Sequence, residues 1–378
     1  MAGIYIHIPF CRKRCHYCDF FKSTDLTQKA RLLAGLKKEL ISRACELDSE
    51  EINTIYFGGG TPSVLLIDEL KDLLNIIEQH FRVAENAEIT LEANPDDLSQ
   101  AILSALRQGG FNRLSMGVQS FSEADLKLMN RRHGVMQALQ SVKWAKSAGF
   151  SNISIDLIYG LPNQTIEEWE RNVRIAVELD VQHISAYNLT YHEGTVFFDR
   201  LKKGILKELP DELSLEQFKM LIQILKEAGF EHYEISNFCK PGLYSQHNSS
   251  YWQSKKYMGI GPSAHSYDLV SRRWNVSSIS NYLDGLENSK VYFEDEILSE
   301  QDKYNDFIIT GLRTTWGVSE ELIQSTFSPG YFIHFQEFKE KYLRSGHLLE
   351  TFGKVSIGPE GLFISDKIMA DFMVVETS

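Results

Sequence analysis

Residues 4–20 read IYIHIPFCRKRCHYCDF, and this stretch decides the fold. Its first part, Ile4–Ile8, is short, β-rich and uncharged, and reads as a buried strand rather than a signal peptide. Directly behind it, Cys11, Cys15 and Cys18 form a Cys-x3-Cys-x2-Cys run on the loop that leaves the strand. Three thiolates on one short loop can converge on three irons of a cubane cluster, leaving the fourth iron open to an external ligand. A zinc knuckle is the first alternative, but structural zinc takes four closed ligands, and His16 supplies a fourth only with cramped adjacent-residue geometry. Three ordinary buried cysteines are the second alternative. Of five cysteines in all, three lie within eight residues, an odd and clustered set that argues against a disulfide framework. Cys45 and Cys239 match no ligand spacing and read as incidental.

Working outward, further β-rich runs occur at Thr54–Phe57, Glu88–Glu92, Arg113–Met116, Ser154–Leu157 and His183–Tyr187. Amphipathic stretches lie between them at Gln28–Cys45, Ile67–Phe81, Leu98–Gly109 and Thr165–Leu179. Such alternation predicts an α/β fold with a parallel sheet, and six units fit a partial (β/α)6 barrel better than a closed eight-unit one. Chemistry then belongs at the C-terminal strand ends. Polar or Gly-rich features do fall there: Cys11, Gly58-Gly59-Gly60-Thr61, Glu92, Gln119, Asp156 and Tyr187-Asn188.

Past residue 235 the composition shifts. Residues 236–297 are rich in aromatics, Ser, Gly and Asn and read as an irregular extension of the 1–235 core. Residues 298–378 alternate helical patterns with short strand-like runs, predicting a small C-terminal α+β, winged-helix-like domain. A length of 378 residues suits two or three domains. The formal net charge of −12 weakens any case for broad binding to a phosphate backbone, so no nucleic-acid partner is expected. No apolar run approaches the roughly 20 residues needed to span a bilayer, and a cytoplasmic location is expected.

The cysteine spacing resembles that of the radical-SAM superfamily. In that superfamily S-adenosylmethionine (SAM) meets the open iron of a [4Fe–4S] cluster through its amino and carboxylate groups. With FGGGTPS, LEANP, RLSMGVQSF and SIDLIYGLP added, the chain is similar to the branch holding oxygen-independent coproporphyrinogen III oxidases and HemW-type haem chaperones. The resemblance implies that Cys11, Cys15 and Cys18 hold the cluster and that Gly59, Gly60 and Thr61 line the SAM methionine. It also implies that Glu92, Gln119, Arg131 and Asp156 contact SAM, that Tyr5 and Tyr17 flank the site, and that the Thr190 backbone meets adenine. The residues suit these roles: glycines admit close backbone approach, Arg131 offers a fork of donors to a carboxylate, and Asp156, set among apolar neighbours, needs a partner.

Three features separate oxidase from chaperone. The oxidase motif carries a further cysteine two residues past the third ligand, where this sequence has Phe20, and a long segment before its first strand, where three residues stand here. QHNSSYWQ, in turn, matches the His-Asn-x-x-Tyr-Trp pattern of the chaperones, formed by His247, Asn248, Tyr251 and Trp252. An imidazole can ligate haem iron, and Tyr and Trp rings can stack on a porphyrin. The bland alternative is a loop packed by its own aromatics. The resemblance thus implies a haem chaperone that passes haem to an acceptor protein, which can be membrane-bound, with an electron donor serving the cluster. The other reading is a coproporphyrinogen oxidase of porphyrin biosynthesis. His7, His133, His192 and His265 have no comparable context.

Overall fold

The computed structural model of this chain describes residues 2–47 and 50–375. Six parallel strands stand where the apolar runs predict them: β1 (Ala2–Ile8), β2 (Ile52–Gly59), β3 (Val83–Ala93), β4 (Arg113–Gln119), β5 (Ile153–Tyr159) and β6 (His183–Asn188). They neighbour one another in chain order, with helices returning between them. The register sets Tyr5 opposite Tyr56, Thr90 opposite Arg113 and Asp156 opposite Ser185.

Strand side chains alternate between faces. On one face Ile4, Ile6, Ile55, Phe57, Leu91, Leu114, Met116, Ile155 and Leu157 are buried in the main core, with Leu32, Leu36, Leu73, Leu103 and Val173 from the flanking helices. The opposite face carries Tyr5, Tyr56, Glu92, Ser115 and Asp156. The chain can afford this polar face because a site uses it. Helix Ile166–Glu178 illustrates the local logic: Thr165 and Glu168 form a reciprocal capping box, and Trp169, Val173 and Ala176 supply its buried stripe.

The segment 236–297 differs from the irregular extension expected of it. After β7 (Glu231–Glu234), β8 (Asn237–Cys239) pairs antiparallel with β6. The chain then crosses to the other side of the sheet, where β9 (Lys256–Ile260) pairs parallel with β1. Beyond it lie β10 (His265–Tyr267), β11 (Ser271–Asn275) and β12 (Phe293–Ile297), giving a twelve-stranded sheet. Buried Glu39 ties this part to the first helix, receiving hydrogen bonds from Arg43, Asn275, Tyr282 and the Gly261 N–H. The strands escape sequence pattern because they are short and their partner β1 lies some 250 residues upstream.

Residues from 300 onward build a separate core of Tyr304, Ile308, Phe335, Tyr342, Val355 and Phe372. Helix Glu300–Leu312 leads to β13 (Val318–Ser319), helices Glu320–Thr326 and Pro329–Arg344, then β14 (Leu348–Thr351) and β15 (Lys354–Ile357). This helix–strand–helix–helix–strand–strand order, with sheet order β13-β15-β14, is that of a winged helix.

Candidate functional site

A cavity of about 420 Å³ opens at the C-terminal ends of β1–β6. Cys11, Cys15 and Cys18 line it together with Tyr17, Gly59, Gly60, Thr61, Glu92, Gln119, Arg131, Asp156 and Thr190. Residues from six separate strand ends therefore meet in one place.

The cysteine loop is clamped from several directions. The Cys11 N–H donates to the Ser23 carbonyl at 2.9 Å, and Lys22 Nζ to the Cys18 carbonyl at 2.6 Å. Asn130 Nδ2 donates to the Arg14 carbonyl at 2.8 Å. Donors also face the sulfurs: the Thr61 hydroxyl lies 3.3 Å from Cys11 Sγ, and Arg131 Nη1 lies 3.3 Å from Cys15 Sγ. Burial pushes the Cys11 thiol up, and the Thr61 hydroxyl pulls it partly back. Such donors stabilise thiolate ligands and tune a cluster.

Arg131 is held by two 2.6 Å bonds from Nη2, to Asn94 Oδ1 and to the Gly117 carbonyl, while its buried Nε has no partner. Asn94 stands in the LEANP motif yet was not expected at the site. The backbone is adapted to close approach: Gly59 has φ +106°, and a Cβ there would sit 2.5 Å from the His7 ring. Gly60 packs against the Phe10 and Ile8 carbonyls, where a Cβ would come within 2.9 Å. Gln119 adopts φ +69°, just past a register shift between Met116 and Gln119, a strained turn at the cavity wall.

Two carboxylates line this cavity. Glu92 accepts from the Tyr56 hydroxyl at 2.8 Å and from the Gly59 N–H at 3.1 Å, yet burial lifts its pKa to about 7. Burial likewise lifts Asp156 to about 6, against the pull of Ser185 and Arg113. Carboxylates in that state favour a cationic or hydroxyl-bearing ligand. A sulfonium amino acid with a ribose fits them.

Tyr5 is not on the lining. It lies one layer deeper, stacked on Tyr56 and His247, with its hydroxyl 3.2 Å from His7 Nδ1. The His247 helix, Gln246–Trp252, runs from β8 to β9 beneath the cavity, its first N–H groups donating to Glu88. His247 is buried, with Nδ1 2.8 Å from Thr54 Oγ1 and Nε2 2.8 Å from the Tyr251 hydroxyl. Burial drops its pKa to about 3, so the imidazole is neutral. In this structure both His247 ring nitrogens are engaged and the ring is closed off from solvent. Tyr251 is bound to it, and Trp252 lies under Arg313 at 4.8 Å, facing the C-terminal segment. Asn248 is half-buried beside them.

His16 Nδ1 donates to the Leu128 carbonyl at 2.8 Å, and its ring packs on Phe197. Among the described residues no three of His, Cys, Asp and Glu converge as a single ion requires. Thiolates that each hold a different iron of a cluster stand farther apart than ligands of one ion. Nor is any helix among the described residues long and apolar enough to cross a membrane.

A wide-mouthed, partial-barrel site with three thiolates at its rim is what radical-SAM proteins share, and the family model for the radical SAM superfamily matches residues 5–176. A heme chaperone HemW of Bacillus subtilis is 33% identical over 376 residues, covering 99% of both chains. One of Lactococcus lactis is 34% identical, covering 98% of this chain and 97% of its own. Coproporphyrinogen III oxidase (HemN) of Escherichia coli has a similar fold, with a TM-score of 0.86 at 24% identity over 98% of this chain and 89% of its own. The chain belongs to the radical SAM superfamily and, within it, to the HemW family. The family implies a [4Fe–4S] cluster and SAM, and the cavity's donor set fits both.

Proposed function

We propose that this chain holds a [4Fe–4S] cluster on Cys11, Cys15 and Cys18, seats SAM against its open iron, and carries haem to an acceptor protein. Radical chemistry is what a reduced cluster with bound SAM supplies in this superfamily. The chain's own residues do the holding. Arg131 and Thr61 donate toward the sulfurs, and Gly59 and Gly60 admit the methionine backbone. Glu92 takes the amino group, Asp156 takes a ribose hydroxyl, Gln119 and Tyr17 close the sides, and the Thr190 backbone meets adenine. Tyr5 supports this layer from below.

The observation that carries haem transport over oxidation is Phe20. It stands on the cavity lining, 67% exposed, where the oxidase motif has a cysteine. The near-complete match to relatives named heme chaperone HemW supports the same reading. Oxidation of coproporphyrinogen III is the second reading, favoured by the fold shared with the oxidase. A cytoplasmic location, an electron donor for the cluster and a membrane-bound acceptor complete the proposal.

The test is anaerobic. Reconstituted protein receives SAM, reductant and coproporphyrinogen III, and a second sample is titrated with haem. Stoichiometric haem binding without turnover is expected; protoporphyrinogen formed at catalytic rates would sink the chaperone reading.

A further inference from the structure

The cysteine loop is basic in an otherwise acidic chain. Between Cys11 and Cys15 the sequence reads Arg12-Lys13-Arg14, all exposed, while the whole chain carries a formal net charge of −12. Two further elements are knitted to this loop. Past the helix Glu123–Leu128, the Met129 carbonyl accepts from the His16 N–H at 3.1 Å and Asn130 Nδ2 donates to the Arg14 carbonyl at 2.8 Å. From the helix Val196–Lys202, the Phe197 N–H donates to the His16 carbonyl at 2.9 Å. Arg14 Nη2 donates to the Gly194 carbonyl at 3.1 Å, just ahead of that helix.

Each element brings cations to this face. Lys127 lies in the last turn of the first helix, and Arg200 and Lys203 stand one turn apart at the end of the second. Arg200 and Lys13 both lie within electrostatic reach of His16. Arg12 is matched by Asp97, but among the described residues Lys13, Arg14, Lys127, Arg200 and Lys203 have no ion-pair partner. Two acidic groups of the same elements are engaged elsewhere: Glu123 accepts from the Val135 N–H, and buried Asp125 accepts from the Ser120 hydroxyl. Asp19, Glu193 and Asp199 offset part of the charge and leave a positive surplus. Beside Arg200, Ile205 is 66% exposed, an apolar spot next to the cations.

A positive patch steers a partner of opposite charge toward it, even where the interface is small and short-lived. Complexes that pass electrons are of that small, transient kind. Arg14, Lys127, Arg200 and Lys203 stand outside the cavity lining, so a partner held by them leaves the SAM site clear. A lipid surface answers to the same charge, but a redox partner gains from standing on the loop that holds the cluster.

We infer that this face docks an acidic protein that carries single electrons. The donor is oxidised by one electron, and the [4Fe–4S] cluster behind the loop is reduced by one. The inference rests on the cluster of the proposed function and names the class of its electron donor.

The test is anaerobic. Reconstituted, oxidised protein is mixed with the hydroquinone of flavodoxin, an acidic one-electron carrier, and the EPR signal of the reduced cluster is followed in rapidly frozen samples. The wild-type rate is expected to fall about tenfold or more from low to high salt. Arg200→Glu combined with Lys203→Glu slows the low-salt reaction about tenfold and flattens its salt dependence. Photoreduced deazaflavin, a small carrier that needs no docking face, reduces both proteins at the same rate. Oxidised flavodoxin titrated into full-length protein reads the surface without electron transfer. Its affinity falls in step with the rates, and falls less in the milder Lys127→Gln. A wild-type rate that ignores salt, or one unchanged by the charge reversal, overturns the inference. So does binding of phosphatidylglycerol vesicles without binding of flavodoxin, which assigns the patch to a lipid surface. Wild-type protein that takes up no cluster overturns the cluster reading instead, and the flavodoxin titration still decides the docking.

Discussion

The floor and the rim of the cavity are built from the same residue types and use them in opposite ways. On the floor, His247 is sealed between Tyr5, Tyr56 and Tyr251, neutral and bonded at both nitrogens. On the rim, His192 is half exposed with one nitrogen facing a carboxylate. The floor supports: Tyr56 rests on His247 and passes a hydrogen bond to Glu92. The rim is open: its loops carry the three cysteines and exposed Phe20 and Tyr187.

The sharpest way to break this contrast lies on the rim. Cys15→Ala should abolish the [4Fe–4S] absorbance altogether, because three thiolates leave no spare ligand; a full cluster signal would refute the assignment. The next effect falls on the floor. His247→Leu strands the Thr54 and Tyr251 hydroxyls, each at about 1–3 kcal/mol. Denaturant unfolding should show the loss, and SAM affinity should fall. Gly59→Ala comes third. Its Cβ would press on the His7 ring at positive φ, an overpacking of about 1–3 kcal/mol that lowers Tm.

The smallest effect is a pH dependence. A carboxyl group whose pKa rises from 4.5 to about 7 on folding contributes stability below pH 4.5 that is lost as pH rises through about 7. Glu92→Gln removes that loss. In SAM-free protein its Tm advantage over wild type should therefore grow between pH 4.5 and 7.5. A constant difference across that window would show that Glu92 does not titrate there.

The rim was largely legible from sequence. Cysteine spacing, glycine runs and polar residues at strand ends are local features, and parallel-sheet topology carries every strand end to one side. The six parallel strands were legible for the same reason, as continuous β-rich runs. The floor was not. His247-Asn248-x-x-Tyr251-Trp252 looks identical in sequence whether its imidazole faces a porphyrin or a tyrosine. The strands of 256–297 were missed because short strands gain their identity from distant partners.

Sequence by itself determined the class: an α/β sheet, a three-cysteine loop and a ring of polar and glycine residues at the strand ends, each written in local spacing. Only the tertiary structure decided that His247 is buried and His192 half exposed. Burial and hydrogen bonding of a side chain depend on what the rest of the chain packs around it. Thr54 and His247, 193 residues apart, make that decision in one 2.8 Å bond.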